Sequence, residues 1–401
     1  MTLGVTPCDI LIPRGNLEKF ACVACDQFTG DASYWQKVDD LTKGVPSAYH
    51  VIFPEIYLGQ DDAARTKTIN ETMEAYIKEN VFTTIKNTVI FVERTLSSGV
   101  TRRGIVLAVD LEAYDFAPGT HSPVRPTEGT IADRLPPRVK IRENALLELP
   151  HIMILIDDPA KSVIEPLENA EKTLVYDTPL MLSGGSVRGW ALSEPAIQTV
   201  LDHLGKLGVG EKDNVIRFAV GDGNHSLATA KRCWEAKKQH LTPEEQETDP
   251  ARFALCEIVN VHDPALVFEP IHRVMYKIDR ADLLAYLNAR TAPDGHAVTL
   301  VADGKKTEIR LQKTHPLAVG TLQNLLDDYI KTVGGTVDYI HEPEQVEKNT
   351  FDPASMGFLL PAMAKSELFP AVLAGGVLPR KTFSMGMGID KRYYLEARII
   401  K

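Results

Sequence analysis

Residues Asn214 to Val220 form an apolar run that leads without a spacer into Gly221-Asp222-Gly223-Asn224-His225-Ser226. Leu227, Ala230 and Trp234 follow at helical spacing. These residues impose a strand ending at Val220, a sharp turn permitted by two glycines, and a helix beginning near Ser226. Packing the helix stripe against the core leaves the helix N-terminus facing whatever lies above the turn. Backbone N–H groups and the helix dipole favour anions there, phosphate above all. Asn224 is placed to cap the helix, which leaves Asp222 and His225 for a ligand. The same residues also suit a plain capped helix with a satisfied polar turn. The Gly-Lys-Ser/Thr ending of a Walker loop is missing.

A second candidate region spans His121 to Arg142. Arg125, Arg134, Arg138 and Arg142 alternate there with Glu128, Asp133 and Glu143 among four prolines. Guanidinium forks suit phosphate or carboxylate, and an acid among them suits a general base or a magnesium ligand. A solvated charged loop is the competing reading. His272 and Arg273, in Phe268-Glu269-Pro270-Ile271-His272-Arg273, are candidate substrate contacts, with His262 a weaker one. Their spacing is not that of a metal site. Lys381, in Leu378-Pro379-Arg380-Lys381-Thr382-Phe383-Ser384, would close over an anion or sit in a solvated turn. Cys22 and Cys25 lack the second pair of a zinc ribbon and are read as structural.

The rest of the chain sets the frame. Its 401 residues, 44% hydrophobic and 24% charged, are enough for two or three lobes. A net charge of −10 argues against nucleic acid as the main partner and leaves a basic pocket for a small anionic ligand open. No apolar stretch approaches a membrane span, and no signal peptide is visible at the start. Five scattered cysteines read as reduced thiols, so the expected address is the cytoplasm.

The pattern predicts an α+β protein with mixed sheets and flanking helices. We divide it at 1–118, 119–280 and 281–401, with the phosphate-binding turn in the central lobe. Expected elements include a helix over 71–85, strands over 104–109, 151–156, 214–220 and 254–261, a hairpin around Gly304, a helix over 322–333 and a closing strand over 393–400.

Cys25-Asp26-Gln27-Phe28-Thr29 with Tyr34-Trp35, the Arg125 to Leu135 stretch, Asp222-Gly223-Asn224-His225-Ser226, His262-Asp263-Pro264, Glu269 to Arg273 and Leu378 to Lys381 resemble, in that order, the bacterial family of domain of unknown function 1015. More remotely, Asp222-Gly223 with His225 is similar to the glycine–histidine turn of ParB-like nucleotide-binding folds, sulfiredoxin and the free serine kinases. Ser226 departs from the arginine those relatives place after the histidine, so Arg134, Arg142 or Lys381 would supply the guanidinium or ammonium. Asn224 stands where sulfiredoxin needs cysteine, which removes that chemistry.

The resemblance implies a small-molecule kinase, with free L-serine as acceptor and ATP, ADP or pyrophosphate as donor. Gly221, Gly223, Asn224, Ser226, Arg125, Arg134 and Lys381 would hold phosphate. Glu128, Asp222 and His225 would be catalytic, with Asp222 organising Mg²⁺ or phosphate and Glu128 the base. The alternatives are a ParB-like nucleotide-binding regulator without net chemistry, or a phosphohydrolase using the same pocket.

Overall fold

The computed structural model describes residues 3–130, 135–149 and 152–401. The chain separates into two compact units, one formed by Met1–Leu266 with Met387–Lys401, the other by Val267–Gly386.

A nine-stranded mixed sheet organises the first unit. Its strands are β1 (Val5–Thr6), β2 (Ile90–Thr95), β3 (Thr101–Asp110), β4 (Val124–Pro126) and β5 (Met153–Ile156), then β6 (Lys172–Pro179), β7 (Ser186–Leu192), β8 (Phe218–Asp222) and β9 (Phe253–Asn260). The order is β4-β8-β5-β9-β3-β2-β7-β6, with β1 on β3. Two neighbouring pairs, β4–β8 and β5–β9, run parallel, and the other pairs are antiparallel. The central strands are largely apolar, as expected where both faces are covered, with Glu257 of β9 a buried exception. Ile105, Leu107, Val109, Ile154, Ile156, Val220 and Ile258 point into one core with Trp234. Val92, Val106 and Leu255 face the other, with Trp35, Met73 and Tyr394.

The helices of this unit include α1 (Asp62–Lys78), α2 (Leu135–Arg142), α3 (Glu194–Lys206) and α4 (Asn224–Lys238). The helix expected over 71–85 starts earlier and stops at Lys78. Beyond it, the β-branched run Val81-Phe82-Thr83-Thr84-Ile85 favours an extended chain, and Phe82–Thr88 pairs with Cys8–Pro13. The strand expected over 214–220 breaks at Arg217, giving Asn214–Ile216 and β8. Of the expected closing strand only Arg398–Ile399 is regular.

The second unit is a five-stranded sheet built from β10 (His272–Tyr276), β11 (Thr291–Ala302), β12 (Lys305–Leu311), β13 (Thr336–Ile340) and β14 (Ser355–Leu359). Its order is β12-β11-β14-β10-β13. Helices α5 (Arg280–Asn288) and α6 (Ala318–Thr332) belong to it, and β11 and β12 make the hairpin expected around Gly304.

The fold is thus α+β, with a large mixed sheet and flanking helices, as the pattern predicts. The boundary expected at 118 falls between β3 and β4, strands of one sheet, and the one at 280 falls inside the second unit. Strand pairing between residues far apart in sequence decides this, and local composition carries no trace of it. Among the described residues no helix is long and apolar enough to cross a membrane.

Candidate active site

The turn after β8 is the best-defined feature at the carboxyl ends of the parallel pair. Val124, Arg125 and Pro126 of β4 lie in register with Phe218, Ala219 and Val220 of β8. Both strands therefore deliver their following loops to the same sheet edge, the place where open sheets bind ligands. The sheet register shifts between Val220 and Asp222, which turns the strand end out of the ladder. Gly223 then takes a left-handed conformation, φ +76°. A Cβ there would lie 3.0 Å from the Ile152 Cα, so glycine is demanded twice over.

Helix α4 starts at Asn224 with Gly223 as its N-cap. Asn224 is not the capping residue expected from the sequence. It is buried, and its side chain reaches sideways: Oδ1 accepts from the Thr127 N–H at 3.2 Å, and Nδ2 donates to the Val220 carbonyl at 3.3 Å. The Thr127 hydroxyl donates to the same carbonyl at 2.6 Å. These bonds clamp the loop after β4 onto the turn after β8. Glu128 is the next residue, so two motifs nearly a hundred residues apart in sequence meet here. His225 and Ser226 follow within the first turn of α4, where the Thr229 hydroxyl donates to the His225 carbonyl at 2.7 Å.

Asp222 is partnered on both oxygens. Oδ1 accepts from the Gly223 N–H at 3.0 Å, and Oδ2 lies 3.2 Å from the Lys391 ammonium. Lys391 was not among the candidates from sequence. Nothing in Gly388-Ile389-Asp390-Lys391-Arg392 separates it from a solvated turn, since its role comes from a partner remote in the chain. A magnesium ion on Asp222 would have to displace this ammonium. Among the described residues no three His, Cys, Asp or Glu side chains are grouped to hold a metal.

Other candidates have structural work. Arg125 is buried, with Nε donating to the Ser122 carbonyl and a terminal nitrogen to the Asn214 side chain, each at 2.7 Å. It braces the β4 loop and is not presented to a phosphate. Arg134 lies outside the described residues. Arg142 is ion-paired with Glu148 at 2.6 Å.

His272, Arg273 and Lys381 belong to the second unit. His272 is buried and accepts the Leu360 N–H on Nδ1 at 3.1 Å. Burial, with Arg273 and His341 nearby, pushes its pKa down, so it is a neutral core histidine. Arg273 is fully buried and donates to the carbonyls of Ile271, Arg380 and Lys381. Burial lowers its pKa to about 10. Both side chains hold their own unit together rather than meet a substrate, because these polar contacts are all internal to it. Lys381 adopts φ +55°, and its carbonyl is one of the acceptors of Arg273. Cys22 is buried and Cys25 half-buried, and desolvation raises both thiols well above their ordinary range.

A cavity of about 170 Å³ opens beside the first turn of α4. Ser226 and Ile152 line it, the same Ile152 that packs against Gly223, so cavity and turn share a wall. Its other walls include residues from the segment 51–58, α1, α2, the segment 145–149 and β9.

The chain belongs to the family described as protein of unknown function DUF1015, whose profile matches residues 8–329. No curated protein matches it. Among solved structures, it is similar to a conserved hypothetical protein from Pyrococcus furiosus, with 11% identity over 72% of this chain and 94% of that one and a TM-score of 0.36. It is likewise similar to a free serine kinase in complex with AMP, with 11% identity, 72% and 90% coverage and a TM-score of 0.39. A third is SbnI with a C-terminal truncation from Staphylococcus aureus, with 11% identity, 69% and 85% coverage and a TM-score of 0.34. Likenesses this loose carry no residue assignments.

Proposed function

We propose that this protein is a small-molecule phosphotransferase whose donor phosphates sit on the turn Gly221 to Ser226. The observation that carries the reading is the Asn224–Thr127 clamp, which ties the backbone just before Glu128 to the first residue of α4. Phosphoryl transfer needs positioning and charge neutralisation more than covalent help. The first turn of α4 supplies N–H dipoles, and Lys391, held by Asp222, supplies an ammonium donor. The acceptor hydroxyl oxygen attacks the terminal phosphorus, the bond to the departing phosphate breaks, and Glu128 takes the hydroxyl proton. The likeness of Asp222-Gly223 and His225 to the turn of ParB-like folds and free serine kinases supports free L-serine as the first acceptor to try, with O-phosphoserine as product. No step is routed through a metal ion.

The test is incubation of the protein with L-serine and ATP, ADP or pyrophosphate in turn, read by phosphorus NMR for O-phosphoserine. Folded protein that makes no product with any donor refutes serine kinase activity, and tight nucleotide binding without turnover would favour a regulatory protein. Given turnover, Glu128→Gln lowers kcat about 100-fold and leaves KM nearly unchanged, as loss of a general base should.

A further inference from the structure

The cavity beside α4 differs in character from the turn it adjoins. Phe53, Ile69, Met73, Ile141, Leu149 and Leu255 are among its apolar lining residues. Among the described residues, the charged side chains on its wall are already matched. Arg138 is ion-paired with Glu55, and Glu148 with Arg142 at 2.6 Å and Arg398 at 2.8 Å. A zwitterionic amino acid placed here would lose water from an ammonium and a carboxylate and find their counter-charges engaged. An uncharged body loses little water and covers apolar surface. A cavity of this size takes one ring system or a short branched chain, and its shared wall at Ser226 and Ile152 puts that body beside the turn.

We propose that the cavity seats an uncharged, largely apolar body covalently joined to the phosphate on the turn. The ligand is then a phosphate ester or anhydride of an organic alcohol rather than free pyrophosphate. This rests on the phosphate reading of the turn, and it narrows the choice of donor.

Calorimetric titration of the full chain with pyrophosphate, O-phosphoserine, phenyl phosphate and ADP tests it. Phenyl phosphate or ADP should bind about tenfold or more tightly than pyrophosphate and O-phosphoserine, the gain expected from burying a small apolar body. The larger gain of the two separates a compact aryl group from a nucleoside. Ile141→Trp and Met73→Trp, which fill the cavity, should abolish that margin and leave pyrophosphate affinity unchanged, which also reports an intact turn. The inference is overturned if pyrophosphate or O-phosphoserine matches both organic phosphates, or if the margin survives in both filled variants. Should none of the four compounds bind, the phosphate reading of the turn falls and takes this inference with it. Pyrophosphate binding without the margin removes the cavity inference alone.

Discussion

Lys391 and Arg392 are adjacent in sequence, and each neutralises a carboxylate delivered by the central sheet. Arg392 is buried and bridges Glu257, at the middle of β9, to Glu396, which also accepts from the Tyr176 hydroxyl. Lys391 meets Asp222 at the end of β8, where the two side chains are 14% and 25% exposed. The first pair is buried, with Arg102 and Arg94 nearby. The second lies at a strand end beside a helix N-terminus. Two ion pairs of similar composition thus differ in burial, and only the second lies at the proposed site.

Breaking the buried pair should have the largest effect. Arg392→Met leaves Glu257 and Glu396 without their main counter-charge, and urea unfolding should show a loss of about 3–5 kcal/mol. The same pair sets an acid limit. Burial by itself would raise the Glu257 carboxyl, but Arg392 and Arg102 outweigh it and hold the pKa below the ordinary 4.5. A depressed carboxylate pKa adds stability above the unfolded value, and that contribution is lost as pH falls through the folded one. Urea midpoints should therefore drop as pH falls below about 4.5, less steeply in Arg392→Met. A slope identical in the two proteins would show that other carboxylates govern acid unfolding.

An intermediate effect is expected at the clamp. Asn224→Ala removes the acceptor of the Thr127 N–H and should cost about 1–3 kcal/mol. It should also lower kcat more than tenfold, because the backbone before Glu128 loses its anchor. Activity that falls only in step with the folded fraction would reduce Asn224 to a stability residue.

The smallest stability effect belongs to Lys391→Met. A partly exposed pair contributes about 0–1 kcal/mol, so Tm should move little. Pyrophosphate affinity should drop about tenfold, the loss of one charge-assisted contact. A large Tm shift with unchanged affinity would place Lys391 with Arg392 on the structural side and erase the contrast.

Much of the fold is legible in the residues alone. The strand, the bulged turn and the helix around Gly221 to Ser226 follow from glycine placement and apolar period, both local properties. The α+β class and the hairpin at Gly304 follow likewise. The features that escape depend on partners distant in sequence. Asn224 is a good N-cap residue by type, yet Thr127 competes for its side chain, so the cap passes to Gly223. Arg125 and Arg273 carry the donors of phosphate ligands, and nothing local says that backbone carbonyls will consume them. Lys391 is invisible for the converse reason, an ordinary lysine given meaning by Asp222. The placing of Glu128 beside the turn needs the parallel pairing of β4 with β8, which no local period encodes.

The return of Met387–Lys401 to the first unit has a consequence for the order in which the protein is made. Synthesis runs from Asp222 and Glu257 through all of Val267–Gly386 before it reaches Lys391, Arg392, Glu396 and Arg398. During that interval the nascent chain carries Asp222 without Lys391, and Glu148 and Glu257 with Arg142 and Arg102 already made but without Arg398 and Arg392. The second unit has all its own residues before the first does. The first unit therefore closes its sheet-centre charge network, and gains the ammonium of its candidate site, in a single late step.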